Sequence, residues 1–219
     1  MKSAPENSKY VYCIIKSPEE AINFGNIGFQ GHEVYTLDCN DFCPVVSNEP
    51  FKKYEIDDEE EISIHQNVVN EVMKHYSIIP VAYGMIFKNK KLIEVSMRAG
   101  KKAIKKAITI VDNKVELGIK IFLPKDAKID NQKMEQCKSE STERLEEIAS
   151  HSKTLNLFSS RLLMNTSYLI DKEKVQDFSG EVEKLKLKYP EYKFQYSGPW
   201  PPYNFVDIHI LSNKKGGFR

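Results

Sequence analysis

Metal binding is the first chemistry that the residue types suggest, because His32, Asp38, Cys39 and Cys43 lie close together in the chain. A structural zinc site needs a second matching pair of ligands, and none follows. The cysteines therefore read as buried or edge-strand thiols. Nucleophilic catalysis finds no support either: there is no Gly-x-Ser-x-Gly elbow and no cysteine in a reactive context with a paired histidine. Gly25, Gly28 and Gly31 recur at every third position but do not directly follow a strand, and they lack the lysine and hydroxyl of a nucleotide loop. They read as turn residues. His65 lies near the start of a predicted helix, where a histidine completes a hydrogen-bond network more often than it reacts. No catalytic, cofactor-binding or metal residue is expected, and the chain reads as a non-enzyme.

Charged runs are equally plain. Lys101, Lys102, Lys105 and Lys106 surround an amphipathic helix without interleaved aromatic residues, so they read as a solvated face and not as a base-stacking platform. The acidic run 57–61 leads into a helix, as the helix dipole prefers. One segment resists a bland reading: Gly198, Pro199, Trp200, Pro201, Pro202, Tyr203, Asn204 and Phe205. It sets the single tryptophan of the chain among three prolines. Proline fixes the backbone, so these rings are presented at little entropic cost. Two roles stay open for the segment, a rigid junction that plugs Trp200 into a domain interface and a direct contact with a partner; the junction, which would aim residues 205–210 back across the N-terminal domain, is the one expected.

The elements that must position these residues follow from periodicity. Residues 10–15 read as a buried strand, and residues 34–37 and 42–47 as a hairpin. Val68, Val69, Val72, Met73 and Tyr76 give a helix over residues 62–76. Residues 78–87 read as a strand. Leu92, Val95, Ala99, Ala103, Ala107 and Val111 mark the buried stripe of a long helix. Residues 115–123 alternate apolar and polar at period two, a clear strand ended by Pro124. Residues 125–159 are polar and read as a lightly packed helical insertion. Strand, helix and strand then follow at residues 161–170, 172–188 and 192–196.

These elements predict an α+β protein with two domains. A small N-terminal α+β domain covers residues 1–76, and a ferredoxin-like, split βαβ domain covers 77–205 with its insertion at about 125–159. One sheet should hold strand 78–87, with helices 92–111 and 175–188 on its same face. Residues 206–219 form a tail, alternating over 206–210, that packs back on the body. The chain has 219 residues, 41% of them hydrophobic, which is enough for a sizeable core. Its net charge of +1 gives no electrostatic case for nucleic acid. Without a signal-peptide core or a membrane-length apolar run, a cytoplasmic protein with reduced thiols is expected.

The proline-tryptophan segment resembles the one characteristic of the gas vesicle F/L protein family. Further blocks resemble that family in order: residues 10–15, His65 with Val68 and Val69, residues 79–84, residues 115–120 and residues 161–170. The resemblance covers most of the chain. One departure is Ala82-Tyr83-Gly84, where family members usually carry Arg-Phe-Gly, so a role for that arginine is not carried over. The resemblance implies a minor accessory component, located in the cytoplasm and at the gas vesicle. It implies binding to the small hydrophobic shell protein, and support for the nucleation or assembly of the shell. Other gas vesicle accessory proteins are further implied partners; neither nucleic acid nor membrane is one. Two rivals stay open, a small-molecule enzyme on a ferredoxin-like scaffold and a two-domain adaptor whose Pro-Trp-Pro-Pro turn binds an unrelated partner.

Overall fold

In the computed structural model, which describes residues 8–124 and 130–206, the apolar run near the start becomes strand β1 (Lys9–Lys16). Six consecutive buried residues on one strand demand cover on both faces and pairing on both edges. β1 accordingly sits inside an antiparallel sheet. On one side lies β4 (Phe42–Asn48), followed outward by β3 (Val34–Thr36) and β2 (Asn23–Gly25). On the other side lie β5 (Ile78–Pro80) and β6 (Ile86–Phe87), each pairing with part of β1. The strand expected at 78–87 is thus broken in two, because the chain turns at Gly84, whose φ is +87°.

Helix α1 (Glu59–His75) begins earlier than its apolar period, since the Asp58 carboxylate accepts from the Glu61 N–H at 3.0 Å and places three glutamates in the first turn. Helix α2 (Lys90–Val111) is capped by Asn89, whose side-chain oxygen accepts from the Leu92 N–H at 3.0 Å. It packs on β5, β1 and β6. The buried face of α2 carries Ile93, Met97, Ile104, Ala107, Ile108 and Val111. Of the stripe expected to be buried, only Ala107 and Val111 are; Leu92, Val95, Ala99 and Ala103 are exposed. The helix has two apolar stripes, and the one with the bulkier β-branched residues won the core.

Because β5, β6 and α2 belong with β1, the first compact unit runs to Asp112 and the second spans Asn113–Phe205. The division therefore falls after α2, where the sequence reading put it after residue 76. The second unit orders β7 (Lys114–Phe122), α3 (Asn131–Glu146), β8 (His151–Thr154), β9 (Leu162–Asp171), α4 (Val175–Lys188) and β10 (Lys193–Trp200). Its antiparallel sheet runs β10-β7-β9-β8. This is a βαββαβ order, the split βαβ arrangement; three of its strands and α4 are the expected ones, while α3 and β8 stand where helix 92–111 and strand 78–87 were expected.

The supposed insertion supplies α3 and the edge strand β8, so it is part of the unit's frame. It reads as polar because α3 buries only Cys137, Ser141 and Leu145, while all four residues of β8 are exposed. The strand at 78–87 and α2 do not belong to this sheet, which removes the expected pairing of helices 92–111 and 175–188 on one face. Residues 125–129, the remainder of the alternating segment 207–210 and the tail to residue 219 lie outside the described residues. Among the described residues, no helix is long and apolar enough to cross a membrane.

The two stripes of α2 separate in a stability measurement. Ile104→Ala, which empties a fully buried site, is expected to cost about 2–5 kcal/mol in denaturant unfolding. Val95→Ser should stay within about 0.5 kcal/mol. The reverse order of effects would mean that α2 is rotated about its axis.

Candidate functional site

β10 does not end smoothly. Its register against β7 shifts between Ser197 and Trp200, so that Ser197 lies opposite Gly118 and Trp200 opposite Glu116. Gly198 takes up the bulge at φ +113°, and a Cβ there would sit 2.8 Å from the Glu116 carbonyl oxygen. Only glycine fits. The following Gly198–Pro199 peptide is cis. Pro201 and Pro202 are buried, after which Tyr203, Asn204 and Phe205 form a tight turn with the Tyr203 N–H donating to the Pro201 carbonyl at 2.7 Å.

What fixes this turn is a carboxylate. Along β7, Leu117 and Ile119 lie opposite Tyr168 and Tyr196, and both tyrosine rings contact Phe178 of α4. Glu116 therefore points to the other face of the sheet. There it is 5% exposed. One carboxylate oxygen accepts the backbone N–H of Asn204 at 2.9 Å, and the other accepts the Ser167 hydroxyl at 2.8 Å and the Asn204 side-chain amide at 2.5 Å. The Lys153 ammonium of β8 donates to the Asn204 carbonyl at 3.0 Å. Three strands of the sheet thus grip Asn204. A carboxylate removed from water needs such donors, and here two come from the turn and one from the neighbouring strand.

Two rings of the same segment stay partly open to solvent. Trp200 is 48% exposed and Tyr203 41% exposed. Leu157 and Phe158 are also exposed, and the Lys120 ammonium lies 5.2 Å from the Phe158 ring centre. Lys120 shares the Glu116 face, so aromatic and lysine side chains are found together on that side of the sheet.

Residues 8–136 and 127–207 match the model of the family described as gas vesicle synthesis protein GvpL/GvpF. The chain belongs to this family. It is 35% identical over 214 residues to gas vesicle protein F1 of Halobacterium salinarum, covering 96% of this chain and 98% of that protein. Gas vesicle protein F of Haloferax mediterranei is 32% identical, with 95% and 97% covered. The fold is similar to the crystal structures of GvpF from Anabaena sp., with a TM-score of 0.82 at 17% identity over 93% of this chain and 99% of that one, and from Microcystis aeruginosa, with 0.79 at 16% over 92% and 99%. Membership makes this a gas vesicle accessory protein.

The other residues singled out by type have structural surroundings in this GvpL/GvpF chain. The His32 ring meets the buried Glu49 carboxylate at 3.0 Å, and Glu49 continues through Ser47 to the Tyr12 hydroxyl. Burial pushes the Glu49 carboxyl above its ordinary range. Cys43 is buried with its sulfur 3.3 Å from the Ser17 hydroxyl. Asp38 and Cys39 line an open cleft of about 510 Å³ against α2, and burial raises the Cys39 thiol to about 11. The four residues do not converge. Lys101 pairs with Asp41 at 2.5 Å. His65 is buried among Tyr10, Tyr12 and Tyr83, its Nδ1 2.9 Å from the Tyr10 hydroxyl, and burial lowers its pKa to about 4. The residues missed from sequence are Glu116, Ser167 and Lys153. Glu116 read as the solvent side of an alternating strand, and only the strand register brings it to Asn204.

Two outcomes are expected. Asn204→Ala removes the side-chain amide from a buried carboxylate and should cost about 1–3 kcal/mol in unfolding experiments; an unchanged stability would mean that the turn is held by its main-chain bonds and prolines without the side chain. His65 gives a pH signature. Its folded pKa lies below the unfolded value of 6.5, so its contribution is present above pH 6.5 and is lost as pH falls towards 4. The loss should be on the order of 3 kcal/mol. Unfolding curves at pH 7.5 and 4.5 should show a larger loss for the native protein than for His65→Gln, in which Glu49 and the other titrating groups are unchanged. Equal losses would show that His65 charges without cost.

Proposed function

We propose that this protein binds the small hydrophobic shell protein of gas vesicles and supports nucleation or assembly of the shell, using the ridge formed by Trp200 and Tyr203. The observation that carries the reading is the contrast within one short segment. Pro201, Pro202 and Asn204 are tied down, whereas Trp200 stands 48% exposed. A tryptophan serving as a junction plug would be covered. A large ring on a stiff backbone loses little entropy when a partner buries it, and Trp and Tyr dominate the binding energy of many interfaces.

Membership in a gas vesicle family supplies the kind of partner. A shell subunit rich in apolar surface needs cover before it assembles, and an exposed aromatic ridge offers it. Other gas vesicle accessory proteins are further partners on this reading. The activity is binding without turnover, and it needs neither nucleotide nor metal. The protein acts in the cytoplasm and at the vesicle.

The test is Trp200→Ala, measured by thermal melting and by direct binding to purified shell protein. Melting should stay within a few degrees, because a half-exposed ring is removed. Binding should weaken by about thirtyfold or more, the loss typical of a dominant interface residue. Native-like binding by a stably folded variant would sink the reading, and loss of melting together with binding would return the turn to the role of a junction.

A further inference from the structure

The outer stripe of α2 is apolar without being core. At 100° per residue, Leu92, Ala99 and Ala103 fall within about 40° of one another, with Val95 about 60° to one side of Leu92. All four are exposed, Leu92 at 36% and Val95 at 47%. Three turns of helix, about 17 Å, therefore present aliphatic side chains to solvent along one line.

Charge around the stripe is one-sided. Lys91, Arg98 and Lys102 border it on the Val95 side and Lys106 closes its C-terminal end, and none of them is in an ion pair with a described residue. On the other side lies the buried face. α2 carries seven Lys or Arg and a single Glu, in a chain whose net charge is only +1. That glutamate, Glu94, faces away from the stripe and lies 3.7 Å from Lys90. An ordinary solvated helix face would carry polar residues where Leu92, Val95, Ala99 and Ala103 stand.

We infer that this face of α2 docks an amphipathic α-helix of a partner protein whose apolar stripe is bordered on one side by Asp and Glu. Alanines at positions 99 and 103 let a second helix approach closely, as ridges-into-grooves packing requires. Leu92 and Val95 supply the apolar contact at one end. The basic border sets the orientation and speeds encounter with an acidic partner. Nucleic acid is a poor fit, since no aromatic residue lies on the stripe to stack bases. A lipid surface is a poor fit too, because helices that lie in membranes carry bulky Trp, Phe or Leu along the apolar face, and here two of the four positions are alanine. The inference concerns a different surface from the Trp200 ridge and does not rest on it.

The experiment uses the full chain and two labelled synthetic helical peptides with the same Leu/Ala stripe, one bordered by Glu and the other by Lys, read by fluorescence anisotropy. The Glu-bordered peptide should bind, and Lys102→Glu combined with Lys106→Glu should weaken it about tenfold while strengthening the Lys-bordered peptide by a similar factor. Leu92→Ser with Val95→Ser should weaken the Glu-bordered peptide without changing the charge, which keeps the test valid if the charge reversal fails to fold. Equal binding of the Glu-bordered peptide to the native and charge-reversed proteins would overturn the inference. So would displacement of that peptide by phosphatidylserine vesicles or by a single-stranded oligonucleotide at matched charge. Sedimentation showing self-association that the same substitutions abolish would assign the face to a second copy of this chain and also overturn it.

Discussion

A carboxylate held against the face of a sheet must find hydrogen-bond donors, and Glu116 finds them on a turn 88 residues further along the chain. Much of the candidate site depends on this. The Asn204 backbone and side chain both answer Glu116, so the turn has one position and one orientation on the sheet. Ser167 on the neighbouring strand completes the set and Lys153 holds the Asn204 carbonyl from the edge. With Asn204 fixed, the buried prolines before it have no freedom to relax, and Trp200 is left facing solvent. The polar interaction is internal, and its consequence is external: it turns an aromatic side chain into a rigid surface feature.

The first unit uses buried polarity in a related way. Tyr10 is central, with the ring centres of Tyr12, Phe29 and Tyr54 each 4.8 Å from its own, while its hydroxyl meets His65 Nδ1 and accepts the Gly84 N–H. Gly84 is also where the chain turns between β5 and β6. The Tyr10 hydroxyl thus ties β1, α1 and this turn together. Histidine, glutamate and several tyrosines in one neighbourhood are the residue types of acid–base catalysis. Their geometry points elsewhere, since His65 is desolvated and Glu49 is occupied by Ser47 and His32. Such a network specifies how aromatic rings pack.

The sequence made some of this legible and concealed the rest for identifiable reasons. β1, the hairpin of β3 and β4, and β7 were readable because their burial is continuous or alternates cleanly. The α+β class and the proline-tryptophan segment were readable too, the first from periodicity and the second from its composition and its family resemblance. The orientation of α2 was not, because the helix carries two apolar stripes and periodicity cannot say which meets the sheet. α3 and β8 looked like an insertion because an element at a sheet edge buries few residues. Strand β5 was assigned to the wrong sheet because three residues, Ile78–Pro80, carry no information about their partner. The Glu116 clamp was out of reach for a deeper reason: a glutamate at an alternating position looks solvated, and only strand register reveals which loop crosses over it.

These cases share a physical origin. Sequence patterns report how much of an element is apolar, whereas function at a surface depends on what remains after the core has taken its share. A net charge of +1 describes the chain as neutral, yet α2 sets seven Lys or Arg against a single Glu, and acidic residues elsewhere in the chain offset them. Similarly, an aromatic content of 11% says nothing of Trp200, which matters because a buried network keeps it out of the core. The two exposed surfaces differ in the force that would bind a partner. At Trp200 it is burial of a rigid ring, which salt hardly screens; along α2 it is small-residue packing beside cations whose reach shrinks to about a Debye length in salt. Under the two proposals, the partner that buries Trp200 and the partner that meets α2 would therefore be recognised by unlike chemistry, and salt would weaken the second far more than the first.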